Sequence, residues 1–304
     1  MSATIRGANE LRPNTLSEII GQQETVKVLD ISVRAAKGRG EALGHCLLDG
    51  GPGLGKTSLA VAVGNDMGVP VQVANGPAIR SIKHVLPYLS RLTTNSILFV
   101  DEIHRVVPMV QEFLYTAMED YKVYLTSKDT NPVTMELPRF TLIAATTEAG
   151  SISRPLYDRF MIHQHLRYYT TRELTILIRK NAGLLMMDIS EDAAEILAGA
   201  SRGTPRVANN LLRWVRDFAA VGSVIRTNAV VSALTTLGVE RNGLDAQDKK
   251  YLEALEHRFN GGPAGLATLA AATGLTIDTL TGTIEPYLLR ENLIDKTPLG
   301  RVLK

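Results

Sequence analysis

The segment GGPGLGKT at residues 50–57 constrains the fold of this chain more than any other. It satisfies the pattern G-x-x-x-x-G-K-[ST], in which glycines let backbone N–H groups approach a phosphate and the start of a helix adds partial positive charge. An apolar run at 46–48 precedes it, and a helix-forming run at 56–67 follows it. The segment therefore predicts a phosphate-binding loop between a buried strand and a helix. A glycine-rich turn with an incidental lysine is the alternative.

Short apolar runs alternate with helix-like stretches through the first 169 residues. The runs are bounded by Gly, Pro or Asp, as buried parallel strands often are: 46–48, 69–73, 97–100 and 140–144. The helix-like stretches between them include 56–67 and 107–119. This alternation favours an α/β fold with a doubly wound parallel sheet, and we expect it to span residues 1–169.

Near Thr170 the alternation of strand-like and helix-like segments ends, and helical patterns follow. Thr170 and Glu173 have the spacing of a capping box that opens a helix, and the region 170–239 continues with helical patterns. Beyond it, three helix-like segments are followed by two short extended pieces around a turn at 297–300. That outline predicts a small helical domain at 170–239 and a winged helix at 240–304. Small helical domains without a DNA function share the same outline.

Composition narrows the class of protein without identifying it. The chain has 304 residues, with 33 Lys+Arg against 31 Asp+Glu and a net charge of +2. This balance excludes a histone-like polycation, but it allows DNA binding through a few placed cations. Cys46 is the single cysteine, which excludes a disulfide framework and a cysteine-based zinc site. Since no apolar run approaches about 18 residues, we expect a soluble, cytoplasmic protein without membrane contact.

Two carboxylates follow the apolar run at 97–100. Asp101 and Glu102 would stand at the carboxyl end of a buried strand, downstream of the phosphate loop, which is the Walker B arrangement. We expect Asp101 to bind Mg²⁺ together with the hydroxyl of Thr57, and Glu102 to act as general base on the attacking water. Such a pair alone is often a solvated strand end, whereas behind a phosphate loop it indicates nucleotide hydrolysis.

Hydroxyl and guanidinium side chains complete the candidate site. Thr146 and Thr147 end another apolar run, where they could sense the γ-phosphate, orient water, or have no role beyond the strand end. Arg159 and Arg206 are candidates for phosphate contacts because guanidinium is planar and always charged, although a surface position is the default for arginine. We expect His104 to pack locally, and a switch residue is the alternative for its position after the acidic pair.

Taken in order, these motifs resemble the RuvB family of AAA+ ATPases. The resemblance extends from residue 11 to residue 301 and ends in the winged helix. Its motifs after the phosphate loop are DEIH at 101–104, AATT at 144–147, DRF at 158–160 and GTPR at 203–206.

The resemblance implies an ATP-dependent DNA translocase that drives branch migration of Holliday junctions. It implies Thr146 as sensor 1, Arg206 as sensor 2, and Arg159 as an arginine finger that reaches the ATP of a neighbouring subunit. It also implies a homohexameric ring around duplex DNA, with RuvA as partner. The implied nucleotide-binding residues are Leu11, Arg12, Ile19, Ile20, Gly50, Gly51, Pro52, Gly53, Leu54, Gly55, Lys56, Thr57, Ser58, Tyr169 and Arg206. The implied DNA-binding residues are Arg290, Lys296 and Arg301.

The chain departs from the family pattern where subunit and partner contacts are expected. Gly51 stands where the family usually has proline, and Glu148 and Tyr157 replace common arginines. Leu299 replaces an arginine of the wing, and the segment 121–140, which corresponds to the hairpin that grips RuvA, has a polar tip. These departures leave open a regulatory, ATP-gated DNA-binding paralogue with little motor activity. A remodeller of protein clients would carry aromatic pore-loop motifs, which we do not find.

Overall fold

The computed structural model describes residues 11–127, 130–218 and 224–304. They form two compact units. The first holds the chain as far as Glu173 together with Thr204–Arg206, and the second holds Leu174–Gly203 and Val207–Lys304. Across these described ranges, no helix combines the length and apolar character needed to cross a membrane.

A parallel sheet organises the first unit. The strands of this unit are β1 (Cys46–Gly50), β2 (Val71–Asn75), β3 (Ile97–Asp101), β4 (Lys122–Ser127), β5 (Thr130–Glu136), β6 (Thr141–Thr146) and β7 (Ile162–Leu166). Five of them form the sheet in the order β2-β3-β6-β1-β7, and β4 and β5 form a separate antiparallel hairpin. β3 and β6 are almost wholly buried, which explains their continuous apolar sequence. The predicted parallel α/β sheet is confirmed.

Helices cover the sheet and supply its core. They are α1 (Gln23–Arg39), α2 (Lys56–Met67), α3 (Ile82–Leu89), α4 (Pro108–Asp120) and the short α5 (Arg154–Tyr157). Val85 of α3 and Leu114 of α4 are fully buried in one cluster with Leu98 and Val100 of β3. Each such aliphatic side chain contributes about 1.5–3 kcal/mol through its burial. This packing fixes β3, and therefore the two acidic residues at its end.

The observed strands differ from the predicted ones at their ends. β2 begins at Val71 rather than at residue 69, because Pro70 has no N–H to donate and offers only its carbonyl, which accepts from the Ile97 amide at 3.0 Å. β6 begins at Thr141 and runs on to Thr146, so the strand itself delivers the candidate sensor hydroxyl.

Four helices form the first part of the second unit. They are α6 (Thr171–Leu184), α7 (Glu191–Gly199), α8 (Pro205–Phe218) and α9 (Thr227–Leu237), and the first residues of α6 and α8 belong to the first unit. Helical spacing predicts a core stripe along α8 at Val207, Leu211, Leu212, Val215 and Phe218. Leu211, Leu212 and Val215 are buried and Val207 is half-buried, but Phe218, the last residue of the helix, is 43% exposed, so that prediction is wrong. The Trp214 indole donates to the carbonyl of Ala233 at 2.9 Å, which joins α8 to α9.

The rest of the second unit is a helical bundle closed by a hairpin. Its elements are α10 (Ala246–Glu253) with a π-helical turn (Ala254–Arg258), α11 (Leu266–Thr273), α12 (Ile277–Thr279), a second π-helical turn (Leu280–Ile284), α13 (Glu285–Arg290), and the strands β8 (Ile294–Thr297) and β9 (Gly300–Leu303). Tyr251, Leu255, Leu269 and Leu288 fill its core. The predicted winged helix is confirmed.

Glu173 is the most heavily engaged carboxylate of the segment that follows β7. The predicted capping box is present: Glu173 accepts from the Thr170 amide at 2.9 Å, and its own amide donates to the Thr170 hydroxyl at 3.2 Å. Arg167 adds two bonds, from Nη2 at 2.6 Å and from Nη1 at 2.9 Å. The hydrogen bonds from Arg167 are the main reason that the pKa of Glu173 falls from 4.5 to about 2.

We predict that Glu173→Gln destabilises the protein by about 2 kcal/mol at pH 7, because glutamine keeps the capping box but loses the charge facing Arg167. A depressed carboxyl pKa stabilises the fold above the unfolded value near 4.5, and that contribution disappears as the pH falls towards 2. Urea unfolding of both proteins should therefore show a difference that shrinks below pH 4.5.

The matched control is Glu41→Gln, which removes a carboxylate from an exposed pair with Arg39. It should change the unfolding free energy by under about 0.5 kcal/mol at either pH. A difference between wild type and Glu173→Gln that is independent of pH would contradict the ionic role of Glu173.

Candidate nucleotide site

The loop between β1 and α2 has the backbone that its glycines permit. Gly50, Gly53 and Gly55 have φ values of 142°, 79° and 100°. A Cβ on Gly50 would lie 2.6 Å from the carbonyl oxygen of Leu166, so no larger residue fits there without movement. The loop leads directly into α2, whose first backbone N–H groups have no partner within the helix. This is an anion site made by backbone donors and a helix start.

Lys56 is buried inside this loop. Its ammonium donates to the carbonyl of Gly50 at 2.6 Å and to that of Gly51 at 3.0 Å. Burial lowers the pKa of Lys56, while the nearby carboxylates of Glu102 and Asp101 act in the opposite direction. A phosphate bound by the loop would bring further negative charge to this ammonium and favour its protonated form.

The acidic pair lies at the end of β3, as predicted. Asp101 is the last residue of the strand, and its Oδ1 accepts from the Glu102 amide at 3.1 Å. Glu102 has the left-handed conformation, with φ of 50°, and its Oε2 accepts from the Thr147 hydroxyl at 3.2 Å. Gly76 packs so closely behind this turn that an added Cβ would lie 2.2 Å from the carbonyl oxygen of Glu102. The carboxylates are thus fixed by backbone packing.

Thr146 is fully buried at the end of β6, beside β3 in the sheet. Its Oγ1 lies 3.0 Å from Nδ1 of His104 and accepts from the Glu148 amide at 2.9 Å. The same Nδ1 is 3.3 Å from Oε2 of Glu102. His104 therefore lies between the candidate sensor and the candidate base, a contact that the expectation of simple local packing misses. Its place directly after the acidic pair is the sequence signal that could have indicated this.

Two further predicted residues also reach the loop. The Arg206 amide donates to the carbonyl of Gly53 at 3.4 Å, so the GTPR segment lies against the loop. Tyr169 is buried, and burial raises the pKa of its phenol to about 12. Its hydroxyl donates to the carbonyl of Leu54 at 3.5 Å, and its ring is close enough to Gly21 that an added Cβ there would lie 2.7 Å away. Tyr169 thus connects the loop to the segment that follows Ile20.

The remaining predicted nucleotide residues differ in burial. Leu11 is buried, Ile19 and Ile20 are half-buried, and Arg12 and Pro52 are exposed. Thr57 and Ser58 occupy the first turn of α2 and are half-buried. A hydroxyl and a carboxylate, from Thr57 and Asp101, are ligands that suit a hard cation such as Mg²⁺.

Arg159 makes its contacts with α4. Its guanidinium donates to Oε2 of Glu119 from Nη2 at 2.5 Å and from Nε at 3.0 Å. Its Cζ also lies 4.8 Å from the centre of the Tyr115 ring. The structure therefore holds Arg159 in a fixed position on α4, and no hydrogen bond among the described residues links it to the phosphate loop.

The cations predicted to bind DNA are engaged by groups of the protein itself. Glu285 is completely buried and accepts from Arg301 Nε at 2.8 Å, Lys296 Nζ at 2.8 Å and the Tyr251 hydroxyl at 3.1 Å. Burial would raise the pKa of Glu285, but the hydrogen bonds from Arg301 and Lys296 outweigh it and lower the pKa. Arg290 lies over the Tyr287 ring, with 5.0 Å from its Cζ to the centroid.

Comparison with known proteins gives the family. The Holliday junction DNA helicase RuvB P-loop domain matches residues 11–166, the RuvB AAA lid domain residues 169–240 and the RuvB C-terminal winged helix domain residues 241–304. The chain belongs to the RuvB family. The Holliday junction branch migration complex subunit RuvB of Rhodopirellula baltica is 43% identical over 297 residues, which cover 96% of this chain and 81% of that protein.

Solved RuvB structures share the fold over nearly the whole chain. The Thermotoga maritima RuvB Holliday junction branch migration motor is 40% identical with a TM-score of 0.85, covering 97% of this chain and 96% of that one. A lysine-to-arginine mutant of the same protein matches with a TM-score of 0.86 at 40% identity, covering 97% of this chain and 95% of that one. Membership of the RuvB family supports an ATPase activity, and the loop, the acidic pair and the buried threonine are the candidate residues for it.

We predict that Gly76→Ala slows ATP hydrolysis at least about tenfold while changing nucleotide affinity less than about threefold. The added methyl would displace the backbone of Asp101 and Glu102, and misplacement of catalytic groups by about 1 Å is costly in rate, whereas the phosphate loop is untouched. Steady-state ATPase assays and titration with a fluorescent nucleotide measure the two effects separately.

Gly150→Ala is the control, because an added Cβ there meets nothing within 4 Å. It should leave both quantities unchanged. An unaltered hydrolysis rate in Gly76→Ala would show that the acidic pair does not depend on this backbone packing.

Proposed function

We propose that this chain is an ATP-driven DNA translocase that promotes branch migration of Holliday junctions in recombination and repair. The observation that carries the proposal is the joint presence, in one RuvB-family chain, of a fixed Walker-type site and a winged helix. The named relatives are a branch migration complex subunit and a branch migration motor. We place its work in the cytoplasm, as expected from the sequence.

ATP binding would use the phosphate loop as its main anchor. Backbone N–H groups of Gly51 and of the residues from Gly53 to Thr57 would surround the phosphates, and Lys56 would turn its ammonium from the loop carbonyls to the β- and γ-phosphates. Thr57 and Asp101 would hold Mg²⁺, which supplies charge neutralisation at these phosphates. The segment containing Leu11, Arg12, Ile19 and Ile20, together with Tyr169, would enclose the base.

Hydrolysis would depend on Glu102 and Thr146. Glu102 would accept a proton from the attacking water, and Thr147 and His104 hold its carboxylate in position before the reaction. The buried hydroxyl of Thr146 would orient the water or the γ-phosphate, and Arg206 would connect the lid to the bound nucleotide. The protein thus supplies positioning and electrostatic stabilisation, which account for most of the catalysis in phosphoryl transfer.

A homohexameric ring would complete this site. Arg159 would serve as an arginine finger for the ATP of the adjacent subunit, and such a finger contributes about 10³–10⁵ in rate. Two hydrogen bonds to Glu119 and the stacking on Tyr115 hold the guanidinium against α4, where the Arg159 side chain is 32% exposed. Supporting this role, the bonding partner Glu119 is itself exposed.

RuvA is the proposed protein partner, through the hairpin of β4 and β5. Tyr124 and Val133 on this hairpin are each 56% exposed, but Tyr124 pairs with Thr134 and Val133 with Leu125, so their side chains stand on opposite faces of the hairpin. Lys128 and Asp129, in the predicted polar tip, lie outside the described residues. Support for RuvA binding therefore comes from the family resemblance of this segment, and from the relative that is a branch migration complex subunit, rather than from a single apolar patch.

A regulatory paralogue with little motor activity is the second candidate function. Tyr157, which stands in place of a family arginine, packs against His163 with 4.5 Å between ring centres and beneath Arg154 at 5.5 Å. Glu148, at the other replaced position, lies 3.9 Å from His104. Both positions thus have local partners instead of a cation directed at a neighbouring subunit. DNA-stimulated ATPase activity, with and without RuvA, distinguishes the two functions.

We predict that the wild-type chain, with Mg-ATP and cognate RuvA, promotes branch migration of a synthetic four-way junction. Adding Glu102→Gln subunits should inhibit this activity. Because Glu102→Gln retains ATP binding but lacks the general base, mixed rings should lose activity faster than the fraction of wild-type subunits falls. Glu112→Gln, on the exposed side of α4, is the control, and mixing it with wild type should not reduce branch migration. Activity proportional to the wild-type fraction would contradict the ring mechanism, and absence of migration would favour the regulatory paralogue.

We predict that Leu299→Arg strengthens DNA binding by the wing. Leu299 is 81% exposed at the turn between β8 and β9, so an arginine there would meet a phosphate without disturbing the core. One added phosphate contact should steepen the dependence of log affinity on log salt concentration by about 0.9. Fluorescence anisotropy with duplex DNA at several salt concentrations measures this slope. Leu299→Gln, which adds polarity without charge, should leave the slope unchanged, and an unchanged slope in Leu299→Arg would exclude the wing turn from the DNA interface.

A further inference from the structure

Arg202 occupies an unusual place in the loop between α7 and α8. It has a left-handed backbone, with φ of 50°, although it is not a glycine, and Gly203 follows with φ of 67°. This double turn directs its side chain to residues of the winged helix, which lie in the same compact unit. For arginine this conformation is unfavourable by about 1 kcal/mol or more, a cost that favourable contacts of the side chain offset.

The guanidinium of Arg202 bonds to three groups at the start of the winged helix. Nε donates to the carbonyl of Gly243 at 2.8 Å, and Nη2 donates to the carboxylates of Asp245 at 2.9 Å and of Asp248. Asp245 and Asp248 form the capping box of α10. Arg202 is therefore bound to the group that fixes the first helix of the winged helix.

Aromatic stacking strengthens the same contact. The guanidinium carbon of Arg202 lies 4.6 Å from the centre of the Tyr287 ring, on α13. Arg290, one turn further along α13, donates to the backbone carbonyl of Arg202 at 3.0 Å. Gly243 has no room for a side chain here, since a Cβ would lie 3.0 Å from the Ala200 carbonyl and 3.1 Å from the Tyr287 hydroxyl. The loop between α7 and α8 thus makes contacts with both α10 and α13.

Charge and burial make Arg202 difficult to replace. Asp248 is fully buried, one of its oxygens has no hydrogen-bond partner, and Arg202 is its only ion-pair partner among the described residues. Removal of Arg202 would leave this carboxylate buried without a counter-ion. Lysine would keep the charge but could not combine the fork of hydrogen bonds with stacking on Tyr287.

The residues that directly follow Arg202 in sequence contact the phosphate loop. Arg202 is followed by the GTPR segment, and the Arg206 amide donates to the carbonyl of Gly53 in the phosphate loop, within the first unit. Pro205, whose φ is fixed by its ring, begins α8 between these two contacts. Only a few residues therefore separate a contact with the phosphate loop from a contact with the winged helix.

We propose that Arg202 is a positioning residue that ties this loop to the winged helix, so that a change of nucleotide at the phosphate loop alters the DNA affinity of the winged helix. The inference rests on the proposed function only in taking ATP and DNA as the two ligands. By reciprocity, DNA bound to the winged helix would alter nucleotide affinity by the same factor.

The test is the ratio of DNA dissociation constants of the full chain with a non-hydrolysable ATP analogue and with ADP, both with Mg²⁺. We expect a ratio of about five or more in the wild type, and within about twofold of one in Arg202→Ala. Arg202→Lys should give an intermediate ratio, and nucleotide affinity measured without DNA should stay within about twofold in both variants. Arg241→Ala, which removes an exposed arginine of the same region, should behave as wild type.

Asp245→Asn covers the case in which Arg202→Ala fails to fold, since it removes the more exposed of the two carboxylate partners and leaves Asp248 paired. It should reduce the ratio without changing the thermal midpoint by more than a few degrees. A wild-type ratio of one would overturn the proposal. It would also be overturned if Arg202→Ala, Arg202→Lys and Asp245→Asn all kept the wild-type ratio. If the wild type does not promote branch migration but Arg202→Ala still brings the ratio of DNA dissociation constants close to one, the motor function is refuted and the role of Arg202 is supported.

Discussion

Parallel pairing of β1, β6 and β3 is the constraint on which the nucleotide site depends. Parallel strands end at the same edge of a sheet, so the phosphate loop, Thr146 and the Asp101–Glu102 pair meet there although they are far apart in sequence. The residues around them mainly preserve this alignment: Gly76 allows the backbone of Glu102 to approach, and His104 connects two strand ends. A fault in strand register would separate the catalytic groups even if every one of them were present.

The features that sequence could predict are those set by local pattern. The phosphate loop, α2 and the buried strands depend on glycine spacing and continuous apolar runs, and the structure has them. α1 was not predicted because its buried stripe is narrow and partly polar, with Thr25 beside Leu29 and Val33. The partner of Arg159 and the place of His104 depend on which elements become neighbours, and no local pattern encodes that. Their roles in catalysis remain predictions.

The electrostatics of the winged helix explain how a chain with a net charge of +2 is suited to DNA. Glu285 holds Arg301 and Lys296 by hydrogen bonds, so these cations fix the hairpin of β8 and β9 before any DNA contact. A cation shared with a buried carboxylate offers less net charge to a phosphate than an unpaired one. Affinity would then come from several subunits acting on one duplex, each with a weak contact.

The left-handed backbone of Glu102 bears on how such a chain can diverge. For a side chain other than glycine, asparagine or aspartate, this conformation is unfavourable by about 1 kcal/mol or more. If hydrolysis were dispensable, drift at this position would be towards those three residues, which relieve the strain and keep the turn. Gln22, Tyr121 and Met186 have the same backbone conformation elsewhere in the described chain, so the strain alone does not identify a catalytic residue. At position 102 the strain has a further consequence: a change to glycine, asparagine or aspartate would be favoured by the backbone, and only the loss of the longer carboxylate would oppose it.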